Sequence, residues 1–365
     1  MTLVLNKPVI AVAGSSGKTT TKEMIASILR QKWPIYKSPG NRNNRKNIRQ
    51  HVKKIKSSHR AIVLEFGMSG KGHLTRSCRI IRPNMAIITM VGTSHIGNFG
   101  GSLRNLIRAK SELISHMQPN GILFLNADDR NSKLLLKNNF RGRIIKVGIN
   151  NPAHYRATHI AYTQGGMTFR VELNGKVCRF YIPIYGKHNV YNALFAIALT
   201  HTLGFSPPMI KAGLRSYQRP RRRLRIYRLK RGITLIDDTF NANPNSVNAA
   251  LDVLTTISKQ KNAAVLGNMS ELGRYSQRGH TRVGKYAARK RNLTRLFTYG
   301  SKARQIGRAA AQTGFPRYKI VHSVNRGSLH QHLKKDIRPG CTILVKGSNS
   351  MAMYKTARFI KSRYS

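Results

Sequence analysis

Apolar residues along this chain gather in short runs, each closed by glycine or polar residues. Between the runs lie segments whose apolar positions recur three and four residues apart. The runs Val9–Ala13, Ala61–Phe66, Met85–Met90 and Gly121–Asn126 predict buried parallel strands. Met24, Ile25, Ile28 and Leu29 fall on one helical face, as do the apolar residues of Leu103–His116. Residues 166–185 differ: two alternating runs with Asn174-Gly175 between them predict a β-hairpin. A helix carrying Val190, Leu194, Ile197 and Ala198 follows. Beyond a basic, proline-containing stretch, Tyr217–Arg225, alternation resumes with strands at Thr234–Ile236, Ala263–Leu266, Leu296–Tyr299 and Thr342–Val345 and a helix at Ser246–Ile257. The pattern predicts an α/β protein of two domains, 1–217 with a mostly parallel sheet and 218–365 with a Rossmann-like sheet.

The first strand runs into Gly14-Ser15-Ser16-Gly17-Lys18-Thr19-Thr20, where a helix begins. A strand, a glycine turn and a helix N-terminus make an anion site. Backbone N–H groups and the helix dipole face the phosphates, and Lys18 adds a cation. Thr19 supplies a hydroxyl for the Mg²⁺ that accompanies a nucleotide. The longer Walker pattern needs glycine where this chain has Val12, so the match is to the shorter form. Glu65 closes the second strand, at the end of an open sheet where ligands bind; a turn or capping carboxylate is the other reading.

Composition changes the picture mainly through charge. There are 66 Lys+Arg against 11 Asp+Glu, a net charge of +55. Such a field attracts polyanions and loads the compact state with self-repulsion. The basic residues run the whole length, with clusters at Lys53–Lys56 and Arg219–Arg225, which suits a folded protein with a basic surface. Aromatic residues are 7%, and no basic groove interleaved with aromatics is evident, so a specific nucleic-acid partner is not expected. Three separated cysteines, Cys78, Cys178 and Cys341, offer no disulfide framework and point to a cytoplasmic setting. No signal peptide is expected, and no apolar stretch approaches the ~20 residues of a membrane-spanning helix.

Ten segments read together resemble the Mur ligase family: GSSGKTTTKEM at 14–24, GNRNN at 40–44, LEFGMSGKGHL at 64–74, ITMVGTSHIGNFG at 88–100 and RAKSEL at 108–113. The series continues with LNADD at 125–129, GKHNVYNALFAIAL at 186–199, DDTFNANPNS at 237–246, VLGNMSELG at 265–273 and LVKGS at 344–348. The resemblance implies a central P-loop ATPase domain followed by a Rossmann-like domain. It implies ATP-driven amide-bond formation between a carboxylate and an amine or dipeptide through an acyl phosphate, in cell-wall peptide synthesis. By it, Lys18 and the loop from Gly14 to Thr20 hold the phosphates, while Thr19 and Glu65 bind Mg²⁺. His95 would help to bind a second Mg²⁺, and Lys110 would carry a carbamate formed with CO₂. Without the family, Lys110 reads as a solvated helix lysine and His95 as a loop histidine. His188, Asn189 and Asn192 would meet the base region. Arg223, with Arg222 as near-equal candidate, would reach the phosphates. Asp238 and Asn241 would contact ribose or phosphate, Lys346 the transferring group, and Asn41, Asn43 and Asn44 the substrate.

Glu65, Glu112, Asp128, Asp129, Asp237, Asp238 and Glu271 all fall inside these segments, which reads as negative charge kept for metal and nucleotide. Two departures bear on the substrate. Only 13 residues precede Gly14, where the family carries a domain that grips UDP, and Arg45-Lys46-Asn47 follows the asparagine loop where an acid and a glycine are usual. Two alternatives therefore stand beside the amide ligase. One is a ligase of poly-amino acids or another acidic polymer, with an anionic polymer as partner. The other is a non-catalytic ATP-binding or polyanion-associated scaffold.

Overall fold

The computed structural model describes residues 1–365 except 139 and 260. It divides into two compact units, residues 1–95 with 102–220, and residues 96–101 with 221–365. In the first unit the order is β1 Val9–Ala13, α1 Lys18–Leu29, β2 Ile35–Lys37, α2 Arg45–Val52, β3 Ala61–Glu65, α3 His73–Cys78, β4 Met85–Ile88, α4 Leu103–His116 and β5 Ile122–Asn126. It continues with β6 Arg143–Gly148, β7 Tyr155–Thr163, β8 Gly166–Leu173, β9 Lys176–Ile182, α5 Lys187–Thr202 and α6 Pro207–Arg215.

One nine-stranded sheet runs β2-β3-β1-β4-β5-β6-β7-β8-β9, parallel as far as β7 and antiparallel beyond it. Every residue of β1 and β3 is buried, which is why their sequences are unbroken apolar runs up to the strand ends. Pairing of Val12 with Glu65 sets the end of β3 beside the end of β1, just ahead of the glycine turn. The Asn174-Gly175 turn has positive φ at both residues, 51° and 73°, the geometry that matches strand twist in a two-residue hairpin. The strand expected to reach Met90 stops at Ile88, because the Met90 carbonyl accepts the Ser15 N–H at 2.9 Å instead of continuing the ladder.

The second unit contains β10 Arg225–Arg228, β11 Thr234–Asp238, α7 Pro244–Ile257, β12 Asn262–Gly267, α8 Ser276–Ala288, β13 Arg295–Tyr299, α9 Arg304–Gln312, β14 Ile320–Ser323, α10 Arg326–Asp336, β15 Thr342–Lys346 and α11 Tyr354–Tyr364. Its sheet runs β10-β11-β15-β12-β13-β14, with only β10 antiparallel. From β12 the chain adds β13 and β14 toward one edge, and β15 returns to lie between β11 and β12. The short segment 96–101 belongs to this unit, where the Gly97 N–H donates to the Glu271 carbonyl at 3.0 Å. Among the described residues no helix is long and apolar enough to cross a membrane.

Candidate functional site

The turn between β1 and α1 is shaped by two glycines. Gly14 has φ 139°, and a Cβ there would lie 2.0 Å from Thr89 Oγ1, whose hydroxyl donates to the Ser16 carbonyl at 2.6 Å. Gly17 has φ 85° at the N-cap of α1, and a Cβ there would lie 2.4 Å from Asn192 Oδ1. No side chain caps α1, so its first N–H groups are presented by backbone geometry alone. Lys18 Nζ folds back to the Gly14 carbonyl at 2.9 Å. Ser15 stitches the loop to the chain after β4: its Oγ donates to the Gly92 carbonyl at 3.0 Å and accepts the Gly92 N–H at 2.9 Å. Thr20 is buried in the first turn of α1.

Thr19 Oγ1 donates to Glu65 Oε2 at 2.7 Å, and Asn43 Nδ2 donates to Glu65 Oε1 at 2.7 Å. Glu65 is 1% exposed, and its two oxygens are held by a hydroxyl and an amide beside the phosphate loop. A hydroxyl and a carboxylate are hard oxygen donors, the set that suits Mg²⁺ completed by phosphate and water. Among the described residues no group of three or more His, Cys, Asp and Glu side chains that could hold a metal is found. Of the asparagine loop, only Asn43 reaches Glu65. Asn44 Oδ1 caps α2 through the Asn47 N–H at 2.9 Å, and Asn41 is exposed.

Lys110 overturns the reading of a solvated helix lysine: it is 3% exposed on α4. Burial, and then the Lys18 charge, bring its pKa down to about 7, against a smaller opposing pull from Asp129. His95 lies half-buried in the loop after β4 with φ 62°, a left-handed conformation unusual for a residue with a Cβ. At the start of α5, Asn189 Nδ2 donates to the Tyr185 carbonyl at 2.7 Å, and Asn192 Nδ2 donates to Asn189 Oδ1 at 2.9 Å. Asn192 Oδ1 accepts the Thr21 hydroxyl at 3.2 Å, so the two asparagines join α5 to α1. His188 sits beside them, half-buried.

In the second unit, Asp238 Oδ2 pairs with Lys346 Nζ at 2.5 Å, and Asp238 Oδ1 accepts the Leu224 N–H at 3.1 Å. Lys346 also donates to the Asn241 carbonyl at 2.9 Å. Arg223 stacks on Phe240 at 4.0 Å; Arg222, with φ 59°, stacks on Tyr354 at 5.2 Å. Arg223, Asp238, Asn241 and Lys346 thus gather at the ends of β11 and β15.

The expectation that the acids of the matched segments serve metal and nucleotide needs correction. Glu112 accepts the N–H groups of Gly72 and Thr75 at 2.6 and 3.2 Å and so caps α3. Asp128 accepts N–H groups from Ile149, Asn150 and Asn151, and the Tyr191 hydroxyl. Burial alone would raise the Asp128 pKa, but these donors outweigh it and draw it down to about 2. Asp129 accepts from the Val91 N–H and the Ser132 hydroxyl, and Asp237 from Thr239. Buried backbone donors need partners, and short acids supply them. Sequence reasoning also passed over Thr89, Ser38 and Lys22. Lys22 had a readable signal: it shares a helical face with Ile25, Ala26 and Leu29, all buried.

A glycine turn between a strand and an uncapped helix, with a lysine, and a hydroxyl–carboxylate pair beside it, defines a nucleotide-phosphate-binding α/β protein. Residues 12–200 match the Mur ligase middle domain and residues 222–349 the Mur ligase glutamate ligase domain. The chain is 32% identical over 350 residues to UDP-N-acetylmuramoyl-tripeptide–D-alanyl-D-alanine ligase of Bacillus subtilis, covering 96% of this chain and 75% of that protein. It is 32% identical over 357 residues to the Escherichia coli ligase of the same name, covering 97% and 76%. Among solved structures it resembles MurF from Acinetobacter baumannii, with a TM-score of 0.89 and 29% identity, covering 97% of this chain and 76% of that one. The chain belongs to the Mur ligase family. It is an ATP-dependent ligase that forms amide bonds.

Proposed function

We propose that this chain joins the free carboxylate of a UDP-N-acetylmuramoyl-tripeptide to the amine of D-alanyl-D-alanine, the pair named for its relatives. The observation that supports the ATP end of this reading is the 2.7 Å hydrogen bond from Thr19, in the first turn of α1 beside Lys18, to Glu65 at the end of β3. A carboxylate oxygen attacks the γ-phosphorus of ATP, the bond to the bridging oxygen breaks, and ADP leaves with that electron pair. The amine nitrogen attacks the acyl phosphate, phosphate departs from the tetrahedral intermediate, and the nitrogen loses a proton. Lys18 and the loop amides from Gly14 to Thr20 hold the phosphates and offset the negative charge that moves onto the bridging oxygen. Thr19 and Glu65 would hold Mg²⁺, which when bound would supply charge neutralisation of the phosphates.

Lys110 meets the chemical requirement for a carbamate. With a pKa of about 7, much of it carries a lone pair at neutral pH. That pair attacks CO₂, an N–C bond forms and a proton leaves, and the resulting carbamate, with His95, would hold a second metal. His188, Asn189 and Asn192 serve the nucleotide base, and Arg223, Asp238 and Asn241 its ribose and phosphates. Lys346 and the loop of Asn41, Asn43 and Asn44 serve the substrates.

Release of ADP is the test, measured with a panel of carboxylates and amines that includes an acidic poly-amino acid. Rapid release is expected only with the muramoyl tripeptide and the dipeptide together. Lys18→Ala should slow it about 100-fold, the loss of about 2.7 kcal/mol of phosphate contact. Equal release without the dipeptide, or preference for another pair, would refute the substrate assignment.

A further inference from the structure

Lys22 is a charged side chain that the chemistry above does not use, and it is 0% exposed. Taking an ammonium out of water costs several kcal/mol unless its donors are met. Here all three have acceptors: the Ser38 carbonyl at 2.6 Å, the Gly40 carbonyl at 2.5 Å and Glu23 Oε1 at 3.1 Å. A methionine would fill the same volume without that cost, so packing alone does not account for a lysine. Two of the three acceptors belong to the turn Ser38-Pro39-Gly40, which opens the asparagine loop. Ser38 is itself fully buried and grips the end of β3: its N–H donates to the Val63 carbonyl at 3.0 Å, and its Oγ accepts the Glu65 N–H at 3.0 Å. Lys22 also lies one turn along α1 from Lys18 and Thr19. A single ammonium thus connects the helix that carries Thr19 with the turn that fixes the Glu65 backbone and leads into Asn43.

We propose that Lys22 is a positioning residue for the metal-binding end of the site, clasping the Ser38–Gly40 turn to α1 so that Glu65 meets both Thr19 and Asn43. The proposal rests on the reading that Thr19 and Glu65 hold Mg²⁺. Lys22 Nζ bonds to the Ser38 and Gly40 carbonyls and to Glu23, and so acts on Glu65 through Ser38 and the loop. Its loss therefore changes how much Mg²⁺ the protein needs, while the phosphate loop itself, built from Gly14, Gly17 and Thr89, keeps its shape.

Calorimetry with the whole chain tests this through ATP binding across a Mg²⁺ series and ADP binding in EDTA. Lys22→Met is expected to raise the Mg²⁺ concentration for half-maximal ATP binding about tenfold, and to change metal-free ADP affinity less than about twofold. Ser38→Ala removes only the hydroxyl that accepts the Glu65 N–H, and is expected to shift the Mg²⁺ midpoint in the same direction by about threefold. If Lys22→Met does not fold, Ser38→Ala decides alone. An unchanged Mg²⁺ midpoint in a folded variant overturns the proposal, and so does an equal loss of metal-free ADP binding. Glu65→Gln separates the two layers of the argument. If it leaves the Mg²⁺ midpoint unchanged, the metal reading falls and the positioning role with it. If it shifts the midpoint while Lys22→Met and Ser38→Ala do not, only the positioning role falls.

Discussion

Glu65 and Asp238 occupy equivalent places, each the final residue of a parallel strand in its own sheet, yet their surroundings differ. Glu65 accepts from a hydroxyl and an amide, and the nearby Lys18 donates to a backbone carbonyl. Asp238 is bonded directly to Lys346, which is 2% exposed. The first carboxylate has two neutral donors on its oxygens; the second has a buried ammonium on one of them. The same position in two sheets can thus carry a carboxylate bonded to neutral donors or one in an ion pair, and only the second is tied to a buried cation.

The largest effect expected from breaking this contrast is at the ion pair of Asp238. Asp238→Asn leaves a buried ammonium with carbonyl partners only, and should cost about 3 kcal/mol of stability in urea unfolding of the whole chain. Adding Lys346→Met to it should restore most of that loss; a double variant as unstable as the single one would mean that the ion pair is not what holds β11 to β15. A smaller effect is expected at Thr19, the hydroxyl partner of Glu65. Thr19→Ala should raise the Mg²⁺ midpoint for ATP binding about tenfold, about 1.4 kcal/mol, with little change in the urea midpoint. Destabilisation without a change in Mg²⁺ dependence would make Glu65 a structural carboxylate as well.

The smallest expected effect sharpens the comparison with a third charge, Lys110. An unfolded lysine keeps its proton to about pH 10.4, whereas the buried one loses it near 7. Between those values the unfolded chain binds more protons than the folded one, so stability rises with pH across that window. The Lys110 contribution should be about 0.7 kcal/mol between pH 6.5 and 7.5, and Lys110→Met should lack it. Urea unfolding at the two pH values in CO₂-free buffer measures the difference; identical slopes in both proteins would place Lys110 in contact with water.

Much of this architecture is written in local pattern. Strands β1, β3, β4 and β5 are apolar runs because they are covered on both faces, and the phosphate loop is legible because glycines mark its backbone. The elements that escape the pattern do so for physical reasons. In α2 only Ile48 and His51 are buried, so its sequence looks like a charged loop. In β7 most residues are partly or fully exposed, and the register shifts between Thr158 and Ala161, which breaks the alternation. The candidate site shows the same division. Lys18, Thr19 and Glu65 stand out at strand ends and turns. The work of Asp128 cannot be seen locally, since its N–H donors come from Ile149 to Asn151 and its hydroxyl donor from Tyr191. Reading the conspicuous acids as ligand sites overlooked how strongly a folded backbone competes for carboxylates.

With Glu112, Asp128, Asp129 and Asp237 turned toward backbone and hydroxyl donors, few carboxylates are left at the surface to answer 66 Lys and Arg side chains. Neutralisation then falls to mobile anions, held in a layer about 8 Å deep at physiological ionic strength. That layer is not encoded in the chain. It is chloride in a simple buffer, and phosphate esters and organic acids in a metabolite-rich one. The outermost electrical shell of this protein is thus borrowed from its solution and exchanged whenever the solution changes.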